Sequence, residues 1–339
     1  MEKIDWANLT FGYMRTDYNV RCYYRDGKWG ALELHSEENI NIHMAATCLH
    51  YGQEAFEGLK AFRGKDGRVR VFRPEANAER LQNTCEGILM AQFPTDMFCE
   101  AVKMVIKANE RFIPPYGSGA SLYLRPLLIG TGPQVGVRPA TEYLFVIFVS
   151  PVGPYFKGGF STNKYAVVRD FDRAAPLGTG RFKVGGNYAS SLRANKWAHD
   201  QGYACEFYLD AKEKKYIDEC GAANFCGIKD NTYITPLSTS ILPSITNMSL
   251  MQLAEDMGMK VERRHVPVEE LSTFEEAGAC GTAAVISPIA QIDDLDENKS
   301  YVISEDGKPG EVCLKLYNKL RGIQNGEEPD THGWIMFVD

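Results

Sequence analysis

The spacing of apolar positions changes several times along the chain, and the changes outline its elements. Residues 21–34, around Asp26-Gly27, and residues 59–72, around Gly64-Lys65-Asp66-Gly67, each read as strand, turn, strand and predict hairpins. Helical periodicity follows over 75–90 and 96–112, before strands at 122–129 and 143–149. This mixture predicts an α+β first domain, residues 1–152. The densest Pro/Gly stretch, Pro151-Val152-Gly153-Pro154-Tyr155-Phe156-Lys157-Gly158-Gly159, marks an interdomain loop at 153–163, and the Tyr155 it carries makes it a candidate lid. Beyond it, in a second domain of 164–339, strands at 164–168, 204–210, 215–218, 225–229 and 232–234 alternate with helices at 189–199 and 244–257. The sequence contains no internal repeat and no low-complexity segment.

Length supports two domains, since 339 residues exceed one ordinary core. Hydrophobic residues at 44% and charged residues at 24% describe a globular chain, and a net charge of -7 without a basic run argues against nucleic acid as a partner. A small-molecule substrate is the remaining expectation. Nine cysteines, an odd number without framework spacing, predict reduced thiols in a cytoplasmic protein. Six scattered histidines and the lack of a Cys-x-x-Cys pair predict no metal site. Met1-Glu2-Lys3-Ile4-Asp5 lacks the regions of a signal peptide, and the most apolar run, 143–149, falls far short of the ~20 residues that span a bilayer.

Candidate chemistry centres on Gly178-Thr179-Gly180-Arg181-Phe182-Lys183-Val184-Gly185-Gly186-Asn187-Tyr188, where a lone amine stands among glycines. Glycines permit left-handed or tightly folded backbone and close approach of a planar ligand, so Lys183 reads as a Schiff-base lysine. In Asp218-Glu219-Cys220-Gly221-Ala222-Ala223 a carboxylate stands against small residues where a strand is expected to begin, suited to holding a pyridine nitrogen. Leu242-Pro243-Ser244-Ile245-Thr246 opens a helix whose start either binds an anion or is simply capped by Ser244 or Thr246. Cys280-Gly281-Thr282-Ala283-Ala284 reads as a second phosphate-binding segment or as a plain tight turn, and Arg80 as a fixed cation or a solvated one. The combination, in this order, points to pyridoxal 5′-phosphate.

On these motifs, and on Phe11-Gly12, the run from Tyr51-Gly52-Gln53-Glu54 to Lys60-Ala61, and Tyr123-Leu124-Arg125-Pro126, the chain closely resembles the branched-chain amino acid aminotransferases of fold type IV. The resemblance runs through nearly the whole sequence. It implies a two-domain α/β (α+β) enzyme, with a smaller N-terminal domain, a larger C-terminal domain and the cofactor at their interface. It further implies that Lys183 carries the cofactor, Glu219 faces the pyridine nitrogen, and Tyr188 bonds the phenolic oxygen. Arg80, Ile245, Thr246 and Thr282 match the family's phosphate site. Phe11, Phe56, Tyr123, Tyr155 and Tyr188 match the apolar substrate pocket, Arg125 the residue that helps accept the dicarboxylate partner, and Thr282 with Ala283 the backbone that holds the substrate carboxylate. Tyr51, Val135 and Val137 match residues supplied by the other subunit of a homodimer. The implied reaction is reversible, ping-pong transfer of an amino group from L-leucine, L-isoleucine or L-valine to 2-oxoglutarate. Two departures stand out: Ala222 replaces a threonine that some members place near the cofactor, and no Cys-x-x-Cys pair follows the turn at Thr282. A D-amino acid aminotransferase or an aminodeoxychorismate lyase shares the fold, lysine and glutamate. The long aromatic-rich first domain fits the branched-chain group better. A non-catalytic pyridoxal phosphate binder is the rival from another class.

Overall fold

The elements run in the order β1 (Asn19–Arg25), β2 (Lys28–Trp29), β3 (Glu33–His35), α1 (Thr47–Tyr51), β4 (Glu54–Phe56), β5 (Leu59–Arg63), β6 (Val69–Phe72), α2 (Pro74–Gly87), α3 (Thr95–Ala108), β7 (Ser121–Gly130) and β8 (Tyr143–Val152). There follow β9 (Asn163–Val168), α4 (Gly185–Asp200), β10 (Cys205–Leu209), β11 (Ile217–Cys220), β12 (Ala223–Lys229), β13 (Thr232–Pro236), α5 (Ile245–Asp256) and β14 (Lys260–Arg264). Last come β15 (Glu276–Gly281), β16 (Val285–Asp294), β17 (Lys299–Val302), α6 (Glu311–Asn325) and β18 (Ile335–Phe337). This computed structural model describes residues 4–155 and 160–338. Of the loop expected at 153–163, residues 156–159 lie outside the described residues.

Contacts divide the chain into two compact units. The first comprises Met1–Tyr155, Phe182–Gly185 and Gly322–Asp339; the second comprises Phe156–Arg181 and Gly186–Arg321. The division near Tyr155 falls inside the expected loop. Two pieces that a linear reading gives to the second domain, the lysine segment and the stretch from Gly322, belong with the first unit.

In the first unit, β7 and β8 pair antiparallel along their whole length, from Ser121 opposite Val152 to Gly130 opposite Tyr143. Their β-branched and aromatic residues suit a pleated surface. One edge of β7 is shared: β5 pairs with its first part and β4 with its last, so that Phe56 stands opposite Leu127 and Lys60 opposite Tyr123. Alternation along β7 puts Tyr123 and Arg125 on one face, half-buried, while Leu122 and Leu124 enter the core. Helix α3 buries Phe98, Ala101, Val102, Val105 and Ile106, the i, i+3, i+4 stripe of an amphipathic helix. These side chains join Leu81, Phe93, Leu124 and Phe145 in one cluster. Burial of each large apolar side chain stabilises the unit by about 1.5–3 kcal/mol.

The second unit is a sheet in the order β11-β10-β9-β16-β15-β12-β13-β14, and pairing of β11 with β12 closes the strands from β11 to β12 into a ring. Closure leaves those strands no bare edge at the β11–β12 seam. Phe207, Phe225, Val266, Leu271 and Ile292 pack in its core. The β11–β12 turn carries Gly221 at φ 54°, and this turn holds Glu219 opposite Asn224.

Several boundaries differ from the periodicity. Helix α2 stops at Gly87, where Leu89 takes a positive φ, and residues after α3 tighten into a 3-10 turn at Glu110–Phe112. Helix α4 begins at Gly185, before the expected 189. Glu219 stands near the end of β11, whereas its sequence surroundings suggest the start of a strand.

Candidate functional site

Lys183 lies in the loop entering α4, and its backbone is tied on both sides within the first unit. The Lys183 N–H donates to Thr84 Oγ1 at 3.1 Å, and the Lys183 carbonyl accepts from Phe56 N at 3.1 Å. Two residues on, Gly185 N donates to a Glu54 carboxylate oxygen. The amine Nζ sits 4.7 Å from the centroid of the Phe56 ring. Residue 87 must be small here, because a Cβ at Gly87 would overlap the ring of Phe182. None of Gly178, Gly180, Gly185 and Gly186 has left-handed backbone, and close packing accounts for the first three, where an added Cβ would press on Ala175, on the Ser240 carbonyl and on a Glu54 carboxylate oxygen respectively. The left-handed alternative does not apply to these four, and a Cβ at Gly186 would meet open space.

Beside this loop, Arg80 forms a two-pronged pair with Glu57, Nε to Oε1 at 2.8 Å and Nη2 to Oε2 at 2.7 Å. Glu57 is fully buried and also accepts from Asn77 Nδ2 at 2.8 Å. A charge removed from water in this way requires such partners. Thr84 Oγ1 donates to the Arg80 carbonyl at 3.0 Å, so α2 links the arginine to the lysine loop. Arg125 reaches Tyr123 Oη at 2.9 Å and lies 5.0 Å from the Phe56 centroid, while Phe11 meets Tyr123 edge to face at 5.0 Å. Burial pushes the Glu54 carboxyl above its ordinary value, opposed by the Gly185 N–H and by Arg125. The first unit thus gathers Phe11, Phe56, Arg80, Tyr123, Arg125 and Lys183. Tyr51 donates to the Val135 carbonyl on an exposed patch, with Val135 86% and Val137 83% exposed, and Tyr155 is exposed at the end of the unit's first segment.

In the second unit, Glu219 is buried, and its Oε1 accepts from Leu242 N at 2.5 Å and pairs with Arg173 Nη2 at 3.3 Å. Arg173 also donates to the carbonyls of Gly180 and Ser240. Asp218 accepts from Ser240 Oγ at 2.6 Å, and burial raises its carboxyl above the ordinary value. At α5, Ser244 Oγ accepts from Asn247 N at 3.2 Å and the Ser244 carbonyl from Met248 N at 3.0 Å. The capping reading of Ser244 therefore holds, and the N–H groups of Ile245 and Thr246 remain at the helix start for an anion. Thr282 and Ala283 occupy the turn between β15 and β16, and Tyr188 is half-buried in the first turn of α4.

Each unit by itself holds groups of a kind suited to pyridoxal phosphate: the first an amine in a tethered loop, the second a buried carboxylate beside a cation and N–H groups at a helix start. Sequence reasoning does not find Glu57, Arg173, Glu54 or Thr84. Glu57 offers one signal, an acid within the apolar run Phe56-Glu57-Gly58-Leu59; nothing local marks the others. Among the described residues no group of His, Cys, Asp and Glu is placed to hold a metal, and no helix is long and apolar enough to cross a membrane. All nine cysteines are free, and burial pushes the Cys85 thiol up to about 12.

The profile of the amino-transferase class IV family matches residues 54–292. A branched-chain-amino-acid aminotransferase of Haemophilus influenzae is 49% identical over 346 aligned positions, covering 100% of both chains. The crystal structure of Escherichia coli branched-chain amino acid aminotransferase superposes with a TM-score of 0.80 at 28% identity, over 96% of this chain and 100% of that one. The Thermobaculum terrenum enzyme, solved in its pyridoxal phosphate form, gives 0.78 at 25% identity, over 96% and 99%. The chain belongs to the class IV aminotransferases, and within them to the branched-chain-amino-acid aminotransferase family.

Proposed function

We propose that this chain transfers the amino group of L-leucine, L-isoleucine or L-valine to 2-oxoglutarate, reversibly, with pyridoxal 5′-phosphate as carrier and Lys183 as the residue that binds it. The fixed placement of Lys183, tied through Thr84, Phe56 and Glu54 with its amine over Phe56, is the observation that carries this reading. The substrate class follows from relatives that match over the full chain, which favours it over the D-amino acid and lyase alternatives.

The cofactor supplies an aldehyde that takes up the amino group and a protonated ring that stabilises negative charge at substrate Cα. With the cofactor bound, the Lys183 amine would serve as the general base that takes the proton from substrate Cα. Glu219 keeps the proton on the ring nitrogen, and Arg173 Nη2, 3.3 Å from its Oε1, holds the carboxylate in place. Tyr188 donates to the phenolic oxygen. Arg80, the N–H groups of Ile245 and Thr246, and Thr282 hold the phosphate. The backbone at Thr282 and Ala283 receives the substrate carboxylate. Phe11, Phe56, Tyr123, Tyr155 and Tyr188 surround the branched side chain, and Arg125 accepts the second carboxylate of the dicarboxylate partner. Because one amino group is left on the protein before the second substrate enters, the kinetics are ping-pong.

Assembly as a homodimer is part of the same proposal, with Tyr51, Val135 and Val137 entering the pocket of the other subunit. Two exposed valines beside an exposed tyrosine support it, as apolar side chains grouped on a surface mark contacts. A cytoplasmic location agrees with nine free thiols.

The test is turnover of L-leucine with 2-oxoglutarate against turnover of D-alanine, in the parent and in Lys183→Ala. The parent is expected to use L-leucine, and Lys183→Ala to lose activity together with the borohydride-trapped cofactor label. Preference for D-alanine, or retained activity in the variant, rejects the reading.

A further inference from the structure

Three of the hydrogen bonds that hold the backbone around Lys183 come from β4 and α2, two of them from that one short strand. Strand β4 gives Phe56 N to the Lys183 carbonyl and the Glu54 carboxylate to Gly185 N. Thr84 Oγ1 supplies the third, on the Lys183 N–H. The fit at Gly185 leaves no space, for a Cβ there would overlap the same Glu54 carboxylate oxygen. Strand β4 is itself anchored by its pairing with β7, Glu54 opposite Ile129 and Phe56 opposite Leu127.

We propose that Glu54 is a positioning residue for Lys183: by receiving the Gly185 N–H it completes a clamp that fixes the lysine loop and holds the amine at the Phe56 ring. This rests on the assignment of Lys183 as the cofactor-binding amine. Glu54 acts on the lysine through the backbone of Gly185. The requirement is an acceptor oxygen at this point, so glutamine, which keeps a carbonyl oxygen on the same stem, serves in place of glutamate and alanine does not.

The experiment strips the purified protein of cofactor and follows capture of added pyridoxal 5′-phosphate by the appearance of the lysine-linked absorbance in a rapid-mixing instrument. Glu54→Ala is expected to slow capture and to lower kcat for L-leucine by about 10²-fold, the scale of a small misplacement of a reacting group, with KM little changed. Glu54→Gln is expected to restore both. Gly185→Ala, which pushes the carboxylate off the N–H while leaving Glu54 in place, should reproduce the Glu54→Ala defect and decides the question if Glu54→Ala does not fold; parent rates in Gly185→Ala then overturn the proposal. Borohydride trapping and peptide mapping identify the labelled lysine in each protein. A label on Lys183 with parent rates of capture and turnover in Glu54→Ala overturns the proposal. So does an equal loss in Glu54→Gln and Glu54→Ala, which would mean that charge and not an acceptor is needed. A label on another lysine removes the Lys183 assignment first, and the proposal with it.

Discussion

Each unit buries an arginine–glutamate pair, and the two pairs are used in opposite senses. In the first, fully buried Glu57 grips Arg80 with both oxygens, and the cation is the member assigned to the cofactor's phosphate. In the second, Arg173 stands behind Glu219, and the anion is the member assigned to the ring nitrogen. Anchoring also differs. Glu57 takes side-chain donors from α2, Arg80 and Asn77, whereas Arg173 and Glu219 rely largely on backbone groups of Gly180, Ser240 and Leu242. A buried ion pair is a poor source of stability but a firm way to fix one charged group in a set direction. The residue that works and the residue that holds it must be told apart by their different losses.

The severest break is Arg173→Leu, which leaves Glu219 and Asp218 buried without their cation. It should cost about 3–5 kcal/mol, read as a fall in the denaturant midpoint. Next comes Glu219→Gln, whose amide oxygen still accepts from Leu242 N and Arg173. Folding should survive while kcat falls about 10²–10³-fold, the range for loss of one preorganised electrostatic group. Parent-like kcat would remove Glu219 from the chemistry. Glu57→Gln sharpens the contrast: it should weaken pyridoxal phosphate binding about tenfold, roughly one neutral hydrogen bond in place of a charged one, while kcat at saturating cofactor stays near the parent. An unchanged affinity would show that Arg80 does not depend on Glu57. The smallest effect concerns pH. Burial raises the Asp218 carboxyl, so the folded chain holds that proton more tightly than the unfolded chain does. Stability should therefore fall as pH rises from the unfolded value, about 4, through the raised one, and Asp218→Asn should flatten this part of the melting-temperature profile. An identical profile in the variant assigns the slope to other groups.

What can be read from sequence is what local spacing encodes. The lysine segment, Glu219 and the start of α5 announce themselves within a few residues each, because a glycine, a cap or a helix start is a short-range device. The hairpins at Asp26-Gly27 and Gly64-Gly67 are legible for the same reason. The holders are not. Arg173 meets Glu219, and Glu54 meets Gly185, only after the chain has folded, and neither Asp172-Arg173-Ala174 nor Gln53-Glu54-Ala55 differs from an ordinary surface sequence. Strand β16 escapes the periodicity because Pro288 interrupts a run that otherwise reads as a strand. Helix α6 carries Gly322, which lowers the signal of its last turn. Assignment of Phe182–Gly185 to the first unit has no local mark at all, since it depends on Gly87 admitting the Phe182 ring.

Strand β18 lies at one end of the first unit's sheet, pairing Ile335 with Phe72 and Phe337 with Arg70. On the ribosome β6 emerges early, and its partner emerges only after the whole second unit has been made. Until then β6 presents an open row of backbone donors and acceptors to any neighbouring nascent chain. Val69 and Val71, on that edge, make it adhesive, and the interleaved Arg68 and Arg70 supply charge that discourages such pairing. Speed of translation through residues 73–334 therefore sets how long the newborn protein is at risk of sticking to its siblings, a hazard decided by gene order along the fold and not by the stability of the finished molecule.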